Sequence, residues 1–262
     1  MTGASLTEQA AGLAIDGACR SLRLPTVRVQ AGPLAQAAVR DRATHLAYLA
    51  EVLAAELEER DGKRRERRIA EARFPRTKRL ADFDLAAAPS IPPAVLAGLA
   101  TLAWVTAGEP VVLIGDPGTG KSHLLTGLGT AACEEGMRVR YVTAAGLVNE
   151  LAEAADERVL ARTVARYGRL DLLCLDELGY VHLDPRGAEL LFQVITERDE
   201  RASIAAASNL PFSEWASIFP DARLAAAVVD RLTYRAHIIE TGSSSYRLRA
   251  TERSRKGGAA TA

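Results

Sequence analysis

Gly115-Asp116-Pro117-Gly118-Thr119-Gly120-Lys121-Ser122 decides the reading of this chain. It follows an apolar, strand-like run, Val111 to Ile114, and leads into a helix-like segment that begins at His123. A glycine-rich turn between strand and helix makes a phosphate-binding loop, because the glycines let successive backbone N–H groups turn inward on a polyphosphate. The positive end of the following helix faces the same anion. In that arrangement Lys121 reaches the β- and γ-phosphates and the Ser122 hydroxyl ligates Mg²⁺. His123 reads as a helix-packing or phosphate-edge residue rather than a catalytic base.

Outward from the loop, helix-like and strand-like segments alternate: helix 95–104, strand 111–114, helix 121–135, strand 138–142, helix 144–167, strand 170–175, helix 187–199 and strand 203–207. Strands separated by helices need crossover connections, so the predicted fold is α/β, a parallel sheet in a three-layer P-loop NTPase domain over 95–250. A short helix near 213–218, a helix near 224–234 and two short strands, 237–240 and 246–248, complete it. Residues 251–262 read as a frayed tail. Upstream, residues 1–70 read as a small helical domain: Leu34, Ala38, Arg42, Leu46, Leu49, Val52, Leu53 and Leu57 recur near a 3.6-residue period, and Pro25 and Pro33 interrupt the stretch before them. The basic, proline-bearing segment 71–94 reads as a linker.

The apolar strand 170–175 ends in Asp176-Glu177. Strand ends on one edge of an open parallel sheet are where ligands sit, so the pair is delivered beside the loop. Asp176 would hold Mg²⁺ through water near Ser122, and Glu177 would orient and deprotonate an attacking water. The alternative is an N-cap for the next helix. Asn209 follows the next strand and is placed to bond the γ-phosphate or that water, or else to start the turn into Leu210-Pro211. Arg231 and Arg235, four residues apart on one predicted helical face, could reach a neighbouring subunit's nucleotide as a finger. A surface ion pair with Asp230 is the competing reading.

The chain of 262 residues carries zero formal net charge, yet residues 60–79 hold ten basic side chains against three acidic ones. Lys63, Arg64, Arg65, Arg67, Arg68, Arg73, Arg76, Lys78 and Arg79 are the candidate DNA contacts within that block, the alternative being a solvated helix face with intrahelical ion pairs. No apolar run approaches a membrane span and no signal-peptide layout opens the chain, so a cytoplasmic protein is expected. Cys19, Cys133 and Cys174 lack nearby Cys or His ligands, which argues against a zinc site or disulfide framework and for buried thiols.

GDPGTGKSHLL, RVRYVTAAGLV, DLLCLDELGYVHLDPRGAELLFQVITERDER, SNLPFSEW and DRLTYRAHIIE, with RRERRIAEARFPRTKRLADFD upstream, resemble the IstB-type helper ATPases of insertion-sequence transposition. Those are relatives of the DnaC-type helicase loaders within the AAA+ group. The resemblance implies an AAA+ core, with Lys121 and Ser122 as the ATP and Mg²⁺ residues, Asp176 and Glu177 as the hydrolytic carboxylates, Asn209 as first sensor, and Arg231 or Arg235 as finger. It also implies ATP-dependent homo-oligomerisation on duplex DNA, largely without sequence preference, and recruitment or activation of a partner transposase; a replicative helicase loader is the alternative. The chain departs from the family's pattern in its alanine-rich sensor strand, Ile204-Ala205-Ala206-Ala207, which leaves local packing open. A C-terminal helical lid is not expected.

Overall fold

The computed structural model describes residues 7–180, 182–243 and 245–246. Contacts divide the chain into two compact units after Glu66.

The first unit consists of α1 (Glu8–Leu22), α2 (Pro25–Arg40) and the N-terminal part of α3 (His45–Ala72). Pro25 occupies the first turn of α2, where a missing N–H removes no helical bond. Pro33 lies inside α2 and does not interrupt it, contrary to the sequence expectation. The helix runs through because residues on either side of the proline are held by packing: Ala31 is buried, Leu34 packs beside it, and Tyr48 Oη donates to the Ala31 carbonyl at 3.0 Å. The apolar series from Leu34 to Leu57 is likewise broken in two, since Arg42 takes a left-handed φ of 51° between α2 and α3. Its leucines at 46, 49, 53 and 57 are exposed, and the buried cluster is Cys19, Val27, Ala31 and Val52. Buried Glu56 closes the unit: its carboxylate accepts from the Thr26 and Val27 amides at 2.8 and 3.0 Å and from Arg60 Nε at 2.8 Å. It thereby caps α2, whose own N-cap, Leu24, has no side-chain acceptor. Burial pushes the Glu56 carboxyl up, but the two amides and Arg60 outweigh it and hold the group below its ordinary value.

The second unit is built on a five-stranded parallel sheet in the order β2-β3-β4-β1-β5. The strands are β1 (Val111–Ile114), β2 (Val139–Thr143), β3 (Leu172–Leu178), β4 (Ser203–Ser208) and β5 (His237–Glu240). Side chains alternate between its two faces with the period of a strand. Val111, Leu113, Leu172, Cys174, Ala205 and Ala207 pack under α4 (Pro93–Ala100), α5 (Ala103–Thr106) and α6 (Lys121–Glu134). Val112, Leu173, Leu175, Ile204 and Ala206 pack under α7 (Ala144–Asp156), α8 (Leu160–Gly168), α9 (Pro185–Arg198) and α10 (Ala222–Thr233). Helices on both faces make the three layers that the alternating sequence predicts. The alanine-rich strand packs fully, with Ala205 to Ala207 all buried in the strand between β3 and β1.

Several boundaries differ from the sequence reading. The helix expected over 95–104 is two, α4 and α5, separated by Leu102 at a left-handed φ of 58°. That over 144–167 is also two, broken by Arg158 at φ 61°. The short helix near 213–218 is a 3-10 turn, Phe212–Ser217. Of the expected last strand, 247–248 lie outside the described residues, and Tyr246 is helical rather than extended. Segment 71–94 is no free connector, because Ala72, Ala88 and Ile91 are buried in the sheet's core. Two of its side chains seat against glycines of α6: a methyl at Gly129 would come within 2.7 Å of Phe74, and one at Gly127 within 3.0 Å of Leu80. All three cysteines are buried and unpaired.

Candidate functional site

The C-terminal ends of β1, β4 and β3 lie side by side, because β4 pairs with both of the others. That adjacency brings the loop after β1, Asn209 after β4 and the acidic pair of β3 to one edge of the sheet. The first bond of α6 runs from Leu124 N to Gly120 O at 3.0 Å, so the loop leads into the N-terminal turn of the helix, the end that favours an anion. Gly120 sits at φ 100° against the Phe83 ring, where a methyl would come within 2.8 Å of Cε2; no other residue fits both the turn and the contact. Lys121 Nζ curls over its own loop and donates to the Gly115 and Asp116 carbonyls at 2.6 and 2.8 Å. His123 turns to the preceding segment, with Nε2 3.1 Å from the Arg79 carbonyl and its ring edge-on to Phe83 at 5.4 Å. It is a packing residue here.

The chain returning from β5 straps the loop from the other side. Gly242 O accepts from Asp116 N at 3.1 Å, the Thr119 and Thr241 hydroxyls lie 2.6 Å apart, and Tyr246 N donates to Gly118 O at 2.9 Å. Sequence reasoning missed this strap, because Thr241-Gly242-Ser243 has neither periodicity nor a charged group to announce it.

Asp176 and Glu177 lie within β3 rather than beyond its end. By the period of two, Asp176 faces α6 with Leu172 and Cys174, while Leu173, Leu175 and Leu178 face the other core. The step from Leu175 to Leu178 contains one residue too many, and the pairing with β4 shifts there. Glu177 is that extra residue: a left-handed φ of 60° turns it out of the sheet, where its side chain is exposed instead of buried among the leucines. A non-glycine residue held there costs roughly 1–3 kcal/mol, which neighbouring contacts must offset. Asp176 is 4% exposed, and both of its oxygens are engaged: Oδ1 accepts from Glu177 N at 2.8 Å and Oδ2 from the Tyr141 hydroxyl at 2.5 Å. Burial, then the bond to Asp176, pushes the Tyr141 hydroxyl well up, so it stays a donor.

Asn209 Oδ1 is buried without a hydrogen-bond partner among the described residues. It rests beside Gly179, at φ 113°, where an added methyl would come within 2.8 Å of that oxygen. Gly179, which follows the acidic pair by two residues, therefore makes room for the amide. Its role was not read from the sequence, although a glycine so placed in a loop leaving a strand was the available signal.

Arg231 and Arg235 do not share a helical face, because α10 ends at Thr233 and Arg235 takes a left-handed φ of 54° beyond it. Neither ion pair involves Asp230. Arg231 Nε lies 3.4 Å from Asp199 Oδ2, its guanidinium stacks 4.8 Å over the Phe192 ring, and it bonds the Ala227 carbonyl. Arg235 pairs with Glu109 at 2.8 Å, alongside His237. Both arginines line a cavity of about 90 Å³ with Gly108 and Ala202, at the edge where β1 and β4 begin, opposite the loop. Each is a strand's length from the phosphate loop of its own chain.

In the basic block, Lys63 and Arg64 pair with Glu59 and Asp61 in the first unit. In the second, Arg67 and Arg68 both pair with Glu71, and Arg79 with Glu134. Among the described residues no ion pair is made by Arg65, Arg73, Arg76 or Lys78. No helix is long and apolar enough to cross a membrane, and no cluster of three His, Cys, Asp or Glu side chains able to hold a metal occurs among the described residues.

The family model for IstB-like ATP binding proteins matches residues 18–254. The chain belongs to that family. IstB-like relatives include an insertion sequence ATP-binding protein of Sinorhizobium fredii, 39% identical over 87% of this chain and 77% of its own length. Another, of insertion sequence IS5376 from Geobacillus stearothermophilus, is 34% identical over 88% of this chain and 92% of its own. Among solved structures, AMPPCP-bound DnaA from Aquifex aeolicus superposes with a TM-score of 0.54 at 20% identity, covering 64% of this chain and 51% of that one. A DnaI crystal structure gives 0.52 at 19%, covering 62% and 90%. At these identities the likeness speaks for the fold alone.

Proposed function

We propose that this IstB-like chain is an ATP-hydrolysing helper of insertion-sequence transposition, which assembles with ATP and Mg²⁺ on duplex DNA and brings its partner transposase to the target. One observation carries the nucleotide part: a lysine-tipped loop, a buried aspartate, an exposed glutamate and an orphaned amide oxygen meet on a single edge of the sheet. The donors suit magnesium triphosphate, since Ser122 and Asp176 offer hard oxygens and the N-terminal turn of α6 favours an anion. Bound Mg²⁺ would supply charge neutralisation for the β- and γ-phosphates. Lys121 exchanges its loop carbonyls for phosphate oxygens. Asp176, held from both sides, would offer a fixed carboxylate toward the metal. Glu177, turned into solvent by the bulge, takes the proton of the attacking water, and Asn209, whose buried Oδ1 has no partner among the described residues, accepts from that water through Oδ1 or donates to the γ-phosphate through Nδ2.

The opposite position of Arg231 and Arg235 supports a composite site. An arginine at the far edge reaches a nucleotide only across an interface between copies, which would couple ATP binding to assembly. Arg65, Arg73, Arg76 and Lys78, unpaired among the described residues, are the charges best placed to meet DNA phosphates. The names of the insertion-sequence relatives favour this reading over a helicase loader. The test is light scattering and binding to random-sequence duplex over a salt series, with and without ATP. ATP-dependent growth and a log–log salt slope of about −0.9 per phosphate contacted support it. A particle of constant mass, or a flat slope, removes assembly or DNA from the account.

A further inference from the structure

Tyr141 reaches Asp176 from β2, the strand next to β3: Thr143 is in register with Asp176 and Tyr141 with Cys174. Its hydroxyl lies 2.5 Å from Asp176 Oδ2. The ring is itself located, since Phe74 meets it edge-on at 6.1 Å and Phe74 is seated against Gly129. With Oδ1 bound to the Glu177 amide, the carboxylate plane is fixed at both ends. A buried aspartate with one free oxygen would rotate about its terminal torsion, which is broad and soft.

We propose that Tyr141 is a positioning residue for the nucleotide site, whose hydroxyl sets the orientation in which Asp176 meets the Mg²⁺ of the bound nucleotide. This rests on the reading of Asp176 given above. Partners that orient a metal-directed ligand typically change metal affinity or activity 10–100-fold when removed. Phenylalanine keeps the ring against Phe74 and deletes only the donor, so Tyr141→Phe isolates the hydroxyl.

The experiment follows a fluorescent ATP analogue bound to the full chain during Mg²⁺ titration, and repeats the binding in EDTA. For Y141F the half-saturating Mg²⁺ rises about tenfold, while affinity in EDTA stays within twofold of wild type. In Asp176→Asn the Mg²⁺ response is lost, and adding Y141F to it changes nothing further, because the tyrosine acts through the carboxylate. Thermal unfolding without nucleotide separates loss of orientation from loss of fold. Superimposable Mg²⁺ titrations of wild type and Y141F overturn the proposal, as does an equal fall of affinity in EDTA. A wild-type chain that binds ATP identically with and without Mg²⁺ overturns the reading of Asp176 first, and the role of Tyr141 with it.

Discussion

The two edges of one sheet differ in how their polar groups are met. Where the strands end, the chain holds Gly118, Gly120, Glu177 and Gly179 at positive φ and leaves the Asn209 oxygen buried without a partner among the described residues. Where β1 and β4 begin, Arg231 and Arg235 are matched by Asp199 and Glu109 of the same chain. A non-glycine residue held at positive φ and an unmet polar atom cost stability, and at this first edge both belong to groups proposed to act on the nucleotide, Glu177 and Asn209. The other edge carries costs of its own, with Glu200 and Arg235 at positive φ and the Nε atoms of Arg198 and Arg231 buried without a hydrogen-bond partner among the described residues, but Arg231 and Arg235 meet carboxylates of their own chain. Surface pairs of this kind contribute only about 0.2–1 kcal/mol, so they open readily when a stronger anion arrives. The exposed Arg235 pair is the looser; Arg231 has an aromatic ring and a carbonyl besides.

The sharpest way to break this contrast is at Glu177. Glu177→Gln should lower turnover about 10²–10⁴-fold with ATP binding retained, read by phosphate release beside equilibrium binding. Equal loss of binding would move Glu177 out of the chemistry. Lys121→Ala should weaken ATP by roughly two orders of magnitude, the worth of a charged hydrogen bond, in a fluorescence titration. Gly179→Ala forces a side chain to a positive φ and into Asn209. Turnover should fall about tenfold with the melting temperature reduced, and unchanged turnover would detach Asn209 from the reaction.

At the opposite edge the expected effects are smaller. Arg231→Ala should cost about 1 kcal/mol of stability through its lost cation–π and polar contacts, and Arg235→Ala less than about 0.5 kcal/mol, by thermal unfolding. Whichever variant loses turnover while binding ATP is the finger. In the first unit, Glu56 provides a control. Its folded pKa is depressed, so its contribution is present above the ordinary glutamate value and is lost as pH falls through the folded value. Glu56→Gln should speed amide exchange at Thr26 and Val27 near neutral pH and flatten its acid dependence, leaving ATP affinity unchanged.

The sequence spells out the strap-free half of the site and not the rest, for physical reasons. Gly115 to Ser122, Asp176, Glu177 and Asn209 are legible because a local turn and two strand ends fix where they emerge, and the parallel order brings them together. The bulge at Glu177 is invisible to periodicity, since one inserted residue changes the face of Leu178 without changing composition. Tyr141 reads as an ordinary strand residue until β2 is known to lie beside β3. Arg231 and Arg235 look helical by spacing, yet a helix stop at Thr233 separates them. In the first unit, of the apolar series only Val52 on α3 is buried, beside Glu56, while Leu46, Leu49, Leu53 and Leu57 are exposed. Amphipathic spacing finds a helix there without finding its buried side.

The most direct test is phosphate release and nucleotide retention measured together, on wild type and Glu177→Gln, with ATP, Mg²⁺ and duplex DNA. Wild type should release phosphate steadily, while the variant holds uncleaved ATP. A well-folded wild-type chain that neither retains nor cleaves ATP would contradict the account.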